Sequence, residues 1–218
     1  MPIQRAKPRF TEVKNVSIGA SQIEANAVGA TQLDLTDDYA FSGTISGIPT
    51  GTEIEVDQWE LPSHFNDGFT SVVVITTWQR NTSATFAKIG TGMTHSSGVF
   101  SFPRTGLWTI KLDTMYYAKS GATDDLSMGI VMYGSTNNFS SESSIGTANT
   151  SMHYIGSGNQ YVNASVNVIF NCTDISTHKV RFKTNSIDTG SSPSSIQVVG
   201  VAANIHTGVI FERIGDAQ

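Results

Sequence analysis

In "GVFSFPRTGLWTIKLDTMYY", residues 98–117, large apolar side chains recur at every second position on both sides of a break. Phe100 and Phe102 share one phase before Pro103. After a turn at Arg104 and Thr105, Trp108, Ile110, Leu112 and Tyr116 share one phase of a longer run. A period of two puts these residues on one face of an extended strand, whereas a helix advancing about 100° per residue would scatter them around its cylinder. The stretch therefore predicts two β-strands, each with one buried face.

The same signal recurs down the chain. In "QYVNASVNVIFNC" (160–172), Val162, Ala164, Val166, Val168, Phe170 and Cys172 alternate with Tyr161, Asn163, Ser165, Asn167, Ile169 and Asn171. "TSVVVITTWQ" (70–79) is β-branched throughout, and "HKVRFKT", "SIQVVGVAANI" and "TGVIFERI" add further strands between turn clusters of Gly, Ser and Asn. No segment shows a helical period. The expectation is an all-β sandwich or jelly roll rather than an α/β fold.

Upstream the pattern changes. In "SIGASQIEANAVGATQLDL" (17–35), Ile18, Ile23, Val28 and Leu33 repeat every five residues, with Ala20, Ala25, Ala30 and Leu35 two places on. A period of five gives neither a helix face nor a strand face, so a single copy cannot hide this pattern against itself. Residues 1–36 are read as an extended arm, and 37–58, dense in Gly, Ser and Thr with a short strand near Tyr39–Phe41, as a linker. The head is read as 59–218.

The chain has 218 residues, 39% hydrophobic and 14% charged, with a net charge of -5. That suits one β domain whose surface is Ser, Thr, Asn and Gly, and it argues against electrostatic binding of nucleic acid. Lys179, Arg181 and Lys183 alternate with Val180 and Phe182 and are read as the solvent face of a strand. The N-terminal residues lack the apolar run of a secretory signal, and no stretch is long enough to insert in a membrane. A single cysteine, Cys172, excludes an internal disulfide and falls on an apolar phase, where a buried thiol is expected.

No catalytic, metal or cofactor motif stands out. His64, His95, His153, His178 and His206 lack the spacing of a zinc site, and no nucleophile elbow occurs. Asp37/Asp38 and Asp124/Asp125 have no ligand series after them. The chain is therefore expected to be non-enzymatic and without cofactors. Tyr116, Tyr117, Tyr133, Asn137, Asn138 and Tyr154 supply rigid aromatic area and adaptable hydrogen bonds, and are the candidate surface-binding loop residues.

Two resemblances sharpen this reading. "MTHSSGVFSFPRTGLWTIKLDTMYY" (93–117) resembles C1q/TNF-like domains, with Gly98, Phe100, Gly106 and Trp108 at matching positions; "VNVIFNCTDISTHKVRFKT" looks like that family's paired late strands around a polar turn, and "TGVIFERIG" like its closing strand. The likeness covers roughly residues 65–215, with "SMGIVMYGSTNNFSSESS" a looser fit. It implies a ten-stranded jelly roll that associates as a homotrimer. Residues 18–47 are similar to the leading segments of bacteriophage fibre and virion-decoration proteins. In a trimer, three arms winding about one axis can present Ile or Val inward at each five-residue step.

The expectation is thus a structural virion protein made in the host cytoplasm. Ile18, Ile23, Val28 and Leu33 serve as particle anchor or trimer stalk, tail, baseplate or capsid proteins are the partners, and a head meets a host-surface glycan or protein. The rivals are a secreted C1q-like adhesive or lectin and a fibre-borne glycan hydrolase or esterase.

Overall fold

The computed structural model describes residues 54–65, 72–81, 88–118, 126–152, 158–185 and 196–218. The arm, the short strand at Tyr39–Phe41, both paired-Asp motifs, His153 and Tyr154 lie outside the described residues. Within them the chain forms eleven strands, numbered in order: β1 (Val56–Glu60), β2 (Gln79–Arg80), β3 (Thr94–Ser96), β4 (Val99–Ser101), β5 (Gly106–Ala118), β6 (Leu126–Ser135), β7 (Ser143–Met152), β8 (Gln160–Cys172), β9 (Lys179–Thr184), β10 (Ile196–Val198) and β11 (Gly208–Gly215).

They make two antiparallel sheets, as the alternation predicts. In the first, β5 pairs along its whole length with β8 on one edge, and with β11 and β10 on the other; β1 and β2 continue beyond β11. The second runs β3-β4-β9-β6-β7. The quoted stretch 98–117 changes sheets at its turn, since β4 lies in the second sheet and β5 in the first.

The core forms where the inner phases meet. Trp108, Ile110, Leu112 and Tyr116 of β5 are fully buried, as are Phe100, Phe182 and Val180 of the facing sheet. Phe100 sits at the centre, with ring centroids 5.0 Å from Phe211, 5.2 Å from Trp59 and 5.6 Å from Phe182. Each such side chain contributes on the order of 1.5–3 kcal/mol of burial before ordering costs. The hairpin joining β3 to β4 places Ser97 and Gly98 at φ 49° and 83°. A two-residue loop with both central residues left-handed matches the strand twist, which explains the glycine at 98.

Several expectations are corrected. The late strands in 166–184 are not paired with each other: β8 belongs to the first sheet and β9 to the second, so the polar turn between them crosses the sandwich. Within 70–79, the described residues 72–79 do not form one continuous strand. The Ile75 amide donates to the Phe182 carbonyl and the Val73 carbonyl accepts from the Thr184 amide, both of β9, and a regular strand starts only at Gln79. The first strand begins at Val56, inside the segment read as linker. β7, "SSIGTANTSM", was not expected, because an edge strand with much of its surface in water can be built from Ser, Thr, Gly and Asn.

Candidate functional site

Tyr116 is not a surface residue. It lies on the inner phase of β5 with 0% exposure, and its hydroxyl donates to the Ala148 carbonyl of β7 at 2.9 Å. Burial raises its pKa, and the hydrogen bonds only partly oppose this. The period-two reading had already placed it on the buried face, and that reading prevails over its assignment to a binding loop.

The other described candidates divide between opposite faces. Tyr117 points outward from the first sheet and packs on Tyr161 of β8, ring centroids 5.0 Å apart. Tyr133 points outward from the second sheet, directly across from Arg181. The Lys183 ammonium lies 4.5 Å from the Tyr133 ring centroid, and the Arg181 guanidinium 4.2 Å from that of Phe139. Glu142 binds both cations. Burial works to raise its carboxyl, but the Lys183 and Arg181 hydrogen bonds overcome this and hold it below the ordinary value. The basic run of β9 is thus the outer face expected, with a carboxylate bridging two of its three cations.

Asn137 and Asn138 sit in the turn after β6. The Ser135 hydroxyl accepts from the Asn137 and Phe139 amides at 3.2 and 2.8 Å, and the Asn137 side chain bonds Ser141 through both its oxygen and its nitrogen. Asn138 and Phe139 hold φ of 55° and 61°. The Asn137 side chain is therefore committed to shaping the turn, while Asn138 is presented to solvent.

A different group of residues does converge. On the outer face of the first sheet, β5, β8 and the 204–207 segment border a solvent-open hollow of about 460 Å³, lined in part by Asp113, Met115, Asn163, Ser165, Ile205 and His206. Strand register creates it, because Asp113 pairs across from Ser165 and Met115 from Asn163. The wall is pinned: the Met115 amide donates to the Thr207 hydroxyl at 3.0 Å, and the Leu61 amide to the Thr207 carbonyl at 3.1 Å. Asp113 keeps an ion pair with Lys111 at 2.9 Å. In sequence these residues appear only as the outward phase of two strands and the adjacent pair Ile205 and His206; the period marks the strand residues as outward-facing but not as neighbours.

The inner phase of β8 is unusual. Val162, Ala164, Val166 and Val168 are only partly buried, unlike their counterparts in β5. Within the described residues β8 pairs with β5 alone, and no described strand hydrogen-bonds to its other edge. Tyr161 and Ile169 on its outer phase are 59% and 67% exposed. β7 packs against the inner row: Gly146 comes so close that a Cβ there would lie 2.8 Å from Val168 and 2.9 Å from Val166. Among the described residues no group of three or more His, Cys, Asp or Glu is placed to hold a metal ion.

No family model matches the chain, and no curated protein sequence matches it. Among solved structures it is similar to Eiger TNF from S. frugiperda, at 9% identity over 76% of this chain and 96% of that one, with a TM-score of 0.53. It is also similar to murine APRIL at pH 8.5, at 12% identity over 74% of this chain and 99% of that one, with a TM-score of 0.46. At these identities the likeness is one of fold alone. The chain carries a TNF/C1q-like jelly roll.

Proposed function

We propose that this chain is a non-enzymatic structural protein of a bacteriophage particle: a homotrimeric fibre or decoration protein, anchored by residues 1–36 and exposing its jelly-roll head to the host surface. The observation that carries the assembly half is the β8 edge that no described strand pairs. Thirteen residues of strand have an edge that no described strand pairs, a half-buried row of aliphatics and two exposed apolar side chains. Such an edge invites uncontrolled pairing unless something covers it, and a neighbouring copy in a closed ring covers it without leaving free ends.

The attachment half is supported by the likeness of residues 18–47 to phage fibre segments and by the five-residue repeat, which finds a use when several copies share an axis. The described strands bury a core of their own, which supports reading arm and head as separable. Light scattering on the full chain is expected to give a trimer at micromolar concentration; a monomer defeats the assembly reading. Deleting residues 1–36 is expected to leave a folded, soluble trimer that immunogold labelling no longer finds on particles. Normal occupancy by the truncated chain defeats the attachment reading.

A further inference from the structure

We propose that the hollow on the outer face of the first sheet binds one hexopyranose unit of a neutral glycan, an inference that rests on reading the head as a host-contact module and names the ligand class it meets. A volume of about 460 Å³ lies within the range of small-ligand sites. Asp113 offers a carboxylate, an acceptor of two hydroxyl groups; Asn163 offers amide donors and an acceptor, and Ser165 and His206 each offer a group able to donate or accept. Met115 and Ile205 supply an apolar wall.

That combination suits a ring with hydroxyls on its rim and C–H groups on its face. Asp113 places a carboxylate in the lining, whereas Lys111, its ion-pair partner at 2.9 Å, is half exposed and is not among the described lining residues, so solvent screens the pair and an acidic sugar would meet like charge in the hollow. Among the described residues no aromatic ring lines the hollow apart from His206, which disfavours a stacked base or aryl ligand. The site is largely pre-formed: cross-strand register fixes Asp113 against Ser165 and Met115 against Asn163, and Thr207 ties the wall to Met115. Little ordering cost therefore falls on binding.

The test is saturation-transfer NMR on the full-length protein, with the methyl glycosides of glucose, galactose, mannose and N-acetylglucosamine as probes and glucuronic acid as the anionic control. Transfer to at least one neutral glycoside is expected, with glucuronic acid at least tenfold weaker. Ser165→Leu fills the hollow from an exposed strand position and is expected to abolish transfer while leaving the circular dichroism spectrum unchanged. Asp113→Asn, a second exposed change, is expected to narrow the gap between neutral and acidic sugars. No transfer to any neutral glycoside, or transfer undiminished in Ser165→Leu, overturns the proposal. A chain found on particles that binds no hexose keeps the attachment reading and loses this one; hexose binding by a chain absent from particles does the reverse.

Discussion

Asp57 is the residue whose removal should damage the head most for its size. It is 1% exposed on β1, yet its carboxylate accepts four hydrogen bonds. Arg80 donates through Nε and Nη2, each at 2.8 Å, the Trp59 indole at 2.9 Å and the Met93 amide at 2.7 Å. Asp57→Ala removes the acceptor from all of them. The Trp59 and Met93 donors are buried, and each buried donor left unpaired costs about 1–3 kcal/mol. Arg80 loses less, since its side chain is 32% exposed and keeps a bond to the Met93 carbonyl at 2.6 Å. Deleting the carboxylate also removes its own desolvation cost. The balance is a loss of about 3–5 kcal/mol, the range for breaking a buried pair, and a fall of roughly 10 °C in Tm. Asp57→Asn should fall between, because its amide oxygen can still accept while its NH₂ confronts a donor. Urea denaturation followed by tryptophan fluorescence measures the change, and a cycle with Arg80→Ala isolates the pair. A cost below about 1 kcal/mol for Asp57→Ala, or zero coupling in the cycle, refutes the reasoning.

Three further outcomes are expected. Burial pushes the Cys172 thiol up to about 11, so a thiol reagent at pH 8 should label it only after unfolding; rapid labelling of the native protein contradicts its placement. Burial lowers the His95 pKa, and the ring accepts the Gly98 amide at 3.1 Å, so the unfolded chain takes up a proton first. Stability should be full above the unfolded value of about 6.5 and fall as pH drops below it, and urea midpoints from pH 8 to 5 should show a steeper decline for wild type than for His95→Gln; equal slopes refute this. Gly98→Ala forces a Cβ to 2.5 Å from Val74 and 3.0 Å from the Ile75 carbonyl at a left-handed position, and should cost about 1–3 kcal/mol in the same denaturation assay.

Which residues are buried could be read locally, because a strand's two faces follow from a period of two wherever the chain is extended. Residues 98–117 and 160–172 show it: the inner phase of β5 and the burial of Cys172 follow from alternation alone, and so does the outward face of Lys179, Arg181 and Lys183. Tyr116 is a case where this local rule outweighs composition. Alternation says nothing about which strand lies beside which, since pairing depends on contacts between residues far apart in the chain. That is why β8 and β9, adjacent in sequence, lie in opposite sheets, and why β7, with little apolar patterning, was missed. The hollow follows the same logic. Asp113, Ser165 and His206 are unremarkable as letters, and they become neighbours only because β5 pairs with β8 in one register and Thr207 holds the 204–207 segment against Met115. The sequence by itself determined the fold class and the inward phase of each clear strand; the strand neighbours and the hollow were decided by long-range hydrogen bonding, which no local pattern encodes.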